Sequence, residues 1–401
     1  MCSISHPKHR SHRVRDPLEA LASKVTVKIE EGNLRGAIRL MCSKDVIADN
    51  SDETFAALQA KHPQPYSDSV IPPLNNLSES VVDLLVPVQR IAFAIRSFPC
   101  GSAGGPDGLT PQHLKDMTGA PAGEEGSTLL SALATFVHFV LRGDVLEEVR
   151  PLFFGANLIP FRKPGGGVRP IAVGCTLRRL VAKCAGSLVR EEMGELLSPK
   201  QLGYGVKRGA EAAVHAARMF VQGLNDDQVF VKLDFTNAFN TLRRNKMLLA
   251  TEEIVPELLP LVHSSYGSPT LLYWGDKTVV SAEGVQQGDP LGPLLFCLSI
   301  HHMITQLAAD FKVFYLDDGS LGGSCEDVLN DLETVEAMAS DLGLQLNKSK
   351  SEVVCRDSST LAQFSASFPG LRVTAPESVR FLGSPPLVSL WMRLSWRKWM
   401  F

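Results

Sequence analysis

Two carboxylates stand side by side in the stretch VFYLDDGSLGG, where Asp317 and Asp318 follow an apolar run typical of a β-strand. Ionised carboxylates repel each other and are rarely buried without partners, so this pair needs either solvent or a nearby cation. Asp226 and Asp227 in GLNDDQ offer a comparison, because a polar turn is enough to explain them. From these residues alone, a solvated turn and a cation site both remain open for Asp317 and Asp318.

A third carboxylate, Asp234, ends the apolar strand predicted in QVFVKLD. If that strand lies beside the one that carries Asp317 and Asp318, the three carboxylates face one small volume. Sites built from oxygen ligands alone suit Mg²⁺ or Mn²⁺. Two such ions about 3.5–4 Å apart activate an attacking hydroxyl and stabilise the leaving oxygen of an in-line phosphoryl displacement. The three positions therefore predict a two-metal site for phosphoryl transfer.

The predicted elements around these carboxylates give an α+β fold. The strand that ends in Asp234 turns into a helix, GVQQGDPLGPLLF leads from a glycine loop into an apolar helix, and a hairpin carries Asp317 and Asp318. This order predicts a mainly antiparallel sheet with helices packed on one face. Upstream, LIPFRKPGGGVRPIAV predicts a β-hairpin whose turn is residues 163–167.

The composition is that of a soluble globular protein, with 44% hydrophobic and 21% charged residues among 401. The apolar stretches are too short to span a bilayer, and no signal-peptide pattern is present. The eight cysteines show neither zinc-ligand nor disulfide spacing, which favours an intracellular compartment, nucleus or cytoplasm. The net charge is −3, but residues 161–220 hold 11 Lys or Arg against 4 Asp or Glu, which predicts either a solvated helix face or contact with a polyanion.

Between about residues 80 and 383 the chain resembles the reverse transcriptase domain of non-LTR (LINE-type) retrotransposons. The motifs that carry the resemblance occur in the family's order: GGPDGLTPQHLK, LIPFRKPGGGVRPIAVGCTLRRLVAK, QLGYGVKRGAEAAVHAAR, LDFTNAFNTL, GVQQGDPLGPLLF, YLDD, GLQLNKSKSEVV and FLG. Eight motifs in order make coincidence a poor explanation. The resemblance implies the fingers and palm of a right-hand polymerase, and an RNA-directed DNA polymerase that takes an RNA template, a DNA primer, dNTPs and two Mg²⁺ or Mn²⁺ ions.

For the chemistry itself, the resemblance implies a role for each matching position. Asp234 and Asp317 would be the main metal ligands, with the backbone carbonyl of Phe235 as a third and Asp318 as the auxiliary carboxylate of the hairpin. Lys350 would protonate the leaving pyrophosphate, although an ordinary surface lysine is an equally good interpretation.

For the substrate, Phe239 occupies the position at which a rigid ring excludes a 2′-hydroxyl, so it would select dNTPs over ribonucleotides. The alternative is that Phe239 is a core residue of its helix. Lys163 and Arg169, which flank the hairpin turn, would hold the triphosphate, the arginine through bidentate bonds. Gln287 and Gly288 would let the backbone approach the nucleotide and the template closely.

The chain also departs from the family's pattern. Leu316 stands where alanine is frequent, and the sequence after FLG runs into SPPLVSLWMRLSWRKWMF, where a thumb would begin. We therefore expect a polar, partly disordered segment over residues 1–75, fingers over 76–225, a catalytic palm over 226–375, and a truncated remnant with a Trp-rich tail over 376–401. The thumb is expected to be missing or vestigial, and no residue pattern indicates a membrane or a specific protein partner.

Two alternatives to an RNA-directed DNA polymerase follow from the same residues. A catalytically silent remnant that only binds nucleic acid would use the basic 161–220 region without turnover, and the truncated end favours it. An RNA-directed RNA polymerase shares a palm and an Asp-Asp hairpin, but the bulky Phe239 argues against it. The intact carboxylates Asp234, Asp317 and Asp318 favour the polymerase.

Overall fold

The computed structural model describes residues 17–30, 34–42, 46–74, 84–163 and 166–383. Its helices are α1 Pro17–Glu30, α2 Leu34–Cys42, α3 Asp52–Lys61, α4 Val88–Arg96, α5 Pro111–Met117, α6 Gly123–Leu141, α7 Arg150–Phe153, α8 Thr176–Leu197, α9 Gly209–Gln222, α10 Ala238–Thr241, α11 Arg244–Ile254, α12 Leu259–Tyr266, α13 Gly292–Gln306, α14 Cys325–Asp341 and α15 Ser358–Ser367. Its strands are β1 Ala156–Arg162, β2 Val168–Gly174, β3 Gln228–Leu233, β4 Thr270–Trp274, β5 Lys277–Ser281, β6 Phe311–Tyr315, β7 Asp318–Ser324, β8 Glu352–Cys355 and β9 Arg372–Val373. Across these ranges, every helix is too short or too polar to cross a membrane.

A five-stranded sheet forms the centre of the C-terminal half, in the order β6-β7-β3-β8-β9. Its neighbours are antiparallel except for the pair β8 and β9. In the central strand β3, Val229, Phe230 and Val231 are all fully buried. Because successive side chains of a strand point to opposite faces, both faces of this sheet must be covered.

Helices cover both faces of the five-stranded sheet. Val229 and Val231 pack into the main core with Leu332 of α14, whereas Phe230 packs on the other side with Val214 of α9. The prediction that helices cover one face only is therefore wrong. The uninterrupted apolar run of β3 is the pattern of a strand buried on both sides, whereas a strand with one wet face alternates apolar and polar residues.

A four-stranded sheet in the order β2-β1-β4-β5 lies in the other part of the molecule. Strands β1 and β2 form the predicted antiparallel hairpin, with Ile159 opposite Ile171 and the Lys163 N–H donating to the Gly167 carbonyl across the turn. Strand β4 adds in parallel to β1 and is followed by β5. Residues 226–375, which were predicted as the palm, therefore also contribute β4 and β5 to the sheet that contains the β1–β2 hairpin.

Residues 46–74 pack against the four-stranded sheet and against the segment that follows β3. Ile47 pairs with Phe161 of β1, and α3 follows. Farther along, the Tyr66 hydroxyl donates to the Thr241 carbonyl at 3.0 Å. The contacts join positions more than 100 residues apart, so local polarity and proline content gave no sign of them.

The segment predicted as a C-terminal remnant, residues 376–401, is described only as far as residue 383. Within it, Val379 and Phe381 are buried in the cluster that covers Phe230. The Trp-rich tail, residues 384–401, lies outside the described residues, as do residues 75–83.

Candidate active site

The pairing of β3 with β7 brings the three predicted carboxylates to one end of the five-stranded sheet. Leu233 is opposite Gly319, so the adjoining residues Asp234 and Asp318 are neighbours across the two strands. Asp317 lies in the turn that joins β6 to β7. All three residues line a single cavity of about 620 Å³. We call Asp234, Asp317 and Asp318 the carboxylate cluster.

Negative charge is crowded in the carboxylate cluster. Burial raises the pKa of Asp317, and the nearby Asp234 adds to this shift. Burial also raises the pKa of Asp318, to about 6, with repulsion from Asp317 as the second cause. Within the described ranges, no three or more His, Cys, Asp or Glu side chains stand close enough together to hold a metal ion. The structure therefore shows carboxylates that share a cavity and repel one another, with their side chains not drawn together around one point.

The backbone of Asp234 is fixed by the turn that precedes β8. The Asp234 N–H donates to the Ser351 hydroxyl at 3.1 Å, and the Asn347 N–H donates to the Asp234 carbonyl at 2.7 Å. The exposed Lys350 belongs to this same turn and lines the cavity, as does the buried Phe235 that follows Asp234. One short turn thus supports a carboxylate and presents a cation.

The turn that carries Asp317 is held by Gln201, a fully buried side chain. Its Oε1 accepts hydrogen bonds from the N–H groups of Leu316 and Gly203, both at 2.9 Å, and its Nε2 donates to the Leu316 carbonyl at 3.1 Å. Leu316 has φ +57°, a left-handed conformation that is costly for a branched side chain. Gln201 therefore stabilises a strained backbone immediately before the Asp pair.

Phe239 packs against the core and also borders the cavity. Its ring stacks on that of the buried Phe296, with centroids 4.6 Å apart and planes 12° apart, which is the packing of a core residue. Phe239 also lines the cavity and is only partly buried. One side of the residue is supported by the core while the residue still borders the space next to the carboxylate cluster.

The glycine turn at Gln287 and Gly288 lies against β2 of the hairpin. The Ala172 N–H donates to the Gln287 carbonyl at 2.7 Å, and a Cβ on Gly288 would stand 2.3 Å from the Ala172 carbonyl oxygen. Gly288 also has φ +128°, which strains other residues. The close approach that requires glycine here is made by the backbone of β2, although both turn residues also line the cavity.

A buried ion pair supports this turn from behind. Arg178 of α8 donates to Asp289 at 2.9 Å and to the Gln286 side chain at 2.7 Å, and the Tyr266 hydroxyl donates to Asp289 at 2.6 Å. Burial acts to lower the pKa of Arg178, but Asp289, Tyr266 and Cys175 together outweigh burial, so the pKa is raised. Arg178 lies more than 100 positions before Gln286 and Asp289, and its contacts, with that of Tyr266, fix the base of the glycine turn.

Four cations line the same cavity: Lys61, Lys163, Arg169 and Lys350. We call them the cation cluster. Burial lowers the pKa of Lys163, and the other three cations lower it further. The cavity therefore contains both crowded negative charge and crowded positive charge.

Comparison with known proteins identifies the fold that builds this cavity. Residues 161–385, more than half of the chain, match the family described as reverse transcriptase (RNA-dependent DNA polymerase). The chain belongs to this family. The matched region includes every residue of the carboxylate cluster and three of the four cations.

Retrotransposon proteins are among the relatives of this reverse transcriptase domain. It is 29% identical over 282 residues to the retrotransposable element SLACS 132 kDa protein of Trypanosoma brucei gambiense, an alignment that covers 67% of this chain and 23% of the relative. It is 27% identical over 267 residues to the retrovirus-related Pol polyprotein from type-1 retrotransposable element R1 of Bradysia coprophila, covering 62% and 25%. The resemblance to non-LTR retrotransposons is confirmed, and the chain spans about a quarter of the length of these relatives.

Apo telomerase from Candida tropicalis, truncated from its C-terminal domain, aligns with a TM-score of 0.37 at 14% identity over 51% of this chain and 50% of that one.

In this reverse transcriptase domain the predicted site residues all line one cavity: Asp234, Phe235, Asp317, Asp318, Lys350, Lys163, Arg169, Phe239, Gln287 and Gly288. Sequence reasoning missed the supports behind them. Gln201 and Asp289 lie inside recognised motifs, which was a signal that they matter but not of what they contact. Lys61 gave no signal, because nothing local links the N-terminal segment to the cavity.

Proposed function

We propose that this domain adds deoxynucleotides to the 3′-hydroxyl of a DNA primer under the direction of an RNA template. The observation that carries the proposal is the cavity in which the carboxylate cluster and the cation cluster meet beside Phe239. Reacting oxygens need metal-binding carboxylates, and an anionic triphosphate needs cations. In this proposal the four-stranded sheet belongs to the fingers and the five-stranded sheet to the palm.

The residues of the carboxylate cluster fit divalent metal ions, which reverse transcriptases use. Three carboxylates crowd one cavity, where burial and then their mutual repulsion raise the pKa of Asp317 and of Asp318, so a bound cation would relieve that repulsion. Oxygen donors suit Mg²⁺ or Mn²⁺. Asp234 and Asp317 would be the main ligands of two ions, with Asp318 and the Phe235 carbonyl as further donors. Such ions lower the pKa of an attacking hydroxyl and stabilise the leaving oxygen.

The remaining cavity residues would position the nucleotide. Lys163 and Arg169 flank the hairpin turn and bind the triphosphate. The sugar of the nucleotide then lies on the side of the cavity that Phe239 lines. The ring of Phe239, backed by Phe296, leaves no room for a 2′-hydroxyl. Gln287 and Gly288 form the backbone surface beside the base pair that is being formed.

In the reaction the primer 3′-oxygen forms a bond to the α-phosphorus while the bond from that phosphorus to the bridging oxygen breaks. The hydroxyl proton is lost and pyrophosphate leaves. Lys350, which shares a turn with the supports of Asp234, donates a proton to the pyrophosphate.

Primer extension on poly(rA)/oligo(dT) with dTTP, in Mg²⁺ or Mn²⁺, tests this function. The expected result is metal-dependent extension by the full chain and none by Asp317→Asn. Binding of the primer–template should survive Asp317→Asn and weaken steeply with salt, because phosphate contacts release counterions. Binding without extension by the unsubstituted chain would instead support a catalytically silent, nucleic-acid-binding remnant.

A further inference from the structure

The cavity contains a cation that comes from outside the matched family region. Lys61 is the last residue of α3, about 100 positions before the hairpin that carries Lys163 and Arg169. It lines the same cavity as both of them and as the carboxylate cluster.

Helix α3 is fixed to the four-stranded sheet, so the position of Lys61 does not depend on a loose terminus. Leu58 is fully buried against this sheet, and Phe55 stacks on Trp274 of β4 with planes 6° apart. Asp52 forms an ion pair with Lys277 of β5. Just before α3, the Ala48 N–H donates to the Pro160 carbonyl at 2.8 Å.

The other end of α3 is fixed to the residues that follow Asp234. The Asn237 side chain donates to the Lys61 carbonyl at 2.8 Å, and it accepts a hydrogen bond from Asn240 at 3.1 Å. The next residue, His62, is buried and bonds to the Leu58 carbonyl through Nδ1 at 2.8 Å. Lys61 is thus placed between the hairpin sheet and the segment that carries Asp234 and Phe239.

The four side chains of the cation cluster form no ion pair with an acidic residue over the described ranges. By contrast, Lys246, Lys277 and Arg162 each form an ion pair with an aspartate. Asp234 attracts Lys163, and Asp317 is attracted by Lys163 and Arg169, but none of these groups approaches within ion-pair distance. The like charges of the cluster repel one another, and a bound polyanion would relieve that repulsion.

We propose that Lys61 binds the terminal phosphates of the incoming nucleoside triphosphate together with Lys163. This proposal rests on the proposed function and extends it, because it makes residues 46–62 part of the nucleotide site. The phosphate end is assigned because Lys61 lines the same cavity as Lys163 of the hairpin turn and its charge acts on that lysine, whereas in the proposed function the carboxylate cluster takes the reacting end of the substrate.

Equilibrium binding of dTTP and of dTMP to the full chain in Mg²⁺, with a primer–template whose primer lacks a 3′-hydroxyl, tests the proposal. The variant is Lys61→Met, which keeps the aliphatic stem, with Lys61→Arg as the conservative change. Lys246→Met is the matched control, since Lys246 already has Asp341 as its partner outside the cavity. Thermal melting of each variant reports the small loss expected from removing a cation at a helix C-terminus.

We expect Lys61→Met to weaken dTTP binding roughly tenfold, the usual effect of losing one charged phosphate contact, and to leave dTMP binding unchanged. Lys61→Arg should restore most of it, and Lys246→Met should match the unsubstituted chain. Unchanged dTTP binding by Lys61→Met overturns this proposal alone. Weaker primer–template binding with normal dTTP binding also overturns it and places Lys61 on the nucleic acid. If the unsubstituted chain does not prefer dTTP to dTMP, the proposed function fails as well.

Discussion

The carboxylate cluster and the cation cluster share a cavity but are held in different ways. The pairing of β3 with β7 places Asp234, at the end of β3, beside Asp318, at the start of β7. Asp317 is fixed by the buried Gln201 through Leu316. Lys163 and Arg169 instead flank an exposed turn, where a Cβ on Gly166 or on Gly167 would meet no atom within 4 Å. In the proposed function the reacting end of the site is therefore fixed by the fold, whereas Lys163 and Arg169, which would bind the phosphates, are long side chains beside an exposed turn.

The largest effect is expected when a fixed carboxylate is neutralised. Asp234→Asn should lower primer extension about a thousandfold, since metal stabilisation of the transition state amounts to several kcal/mol. The fold should persist, because the hydrogen bonds that hold this position come from its backbone. Extension rate and circular dichroism measure the two effects. The matched control is Asp226→Asn in the exposed turn, and an equal loss there would remove the distinction.

The second prediction concerns the buried support of the glycine turn. Asp289→Ala should lower the free energy of unfolding by about 3–5 kcal/mol, because Arg178 would remain buried without its partner. Chemical denaturation measures this change. Asp144→Ala breaks the exposed pair with Arg142 and should cost about 1 kcal/mol or less. Similar values for the two variants would mean that the buried pair does not support the turn.

Gln201 gives a smaller effect that joins stability to activity. Gln201→Leu should cost about 2–3 kcal/mol in unfolding free energy, because backbone groups of Leu316 and Gly203 lose their partner. Extension should fall further than the loss of folded protein explains, since the Asp317 turn is released. Gln112→Leu, on an exposed helix face, should change stability by about 0.5 kcal/mol or less. A stable but inactive Gln201→Leu protein would show that the position of Asp317 depends on Gln201 more than the stability of the fold does. An unaffected variant would contradict the role of Gln201 as a support.

The smallest expected effect lies between the two clusters, at Phe239. Phe239→Val should reduce the preference for dNTPs over rNTPs by about tenfold, because removing the ring opens space for a 2′-hydroxyl. Single-nucleotide incorporation with each substrate measures the ratio. Phe296→Leu removes the stacking partner behind the ring and should keep most of the discrimination. A Phe239→Val enzyme that extends with dNTPs yet still rejects rNTPs would return Phe239 to a core role and revive the RNA polymerase alternative.

The positions at which strands end were enough to predict which carboxylates line one cavity. Asp234 and the Asp pair follow short apolar runs, and neighbouring strands in one sheet bring such ends together. Motif order then supplied Lys163, Arg169 and Phe239. These predictions depend on local patterns, which the sequence shows directly.

The missed features all depend on contacts between distant residues. A short apolar strand does not reveal which sheet it joins, so β4 and β5 were assigned with their sequence neighbours. The polar, proline-containing segment around Lys61 resembles a linker until its partners in the four-stranded sheet and in the segment after β3 are known. Arg178 reads as one more basic residue of α8, because Asp289 lies 111 positions away.

The contact between Ala172 and Gln287 joins β2 of the hairpin to the glycine turn. From Ala172 to Val168 the strand extends about 13 Å before the turn that carries Lys163 begins. The turn end of the hairpin is held as well, because Ile47 pairs with Phe161 and the Arg162 N–H donates to the Val46 carbonyl at 2.7 Å. The oxygen of Ala172 leaves no space for a Cβ at Gly288, so β2 can pack this closely against the glycine turn only with glycine at that position. A single missing methyl group on the opposite turn therefore sets how near the strand that carries Arg169 comes to the cavity.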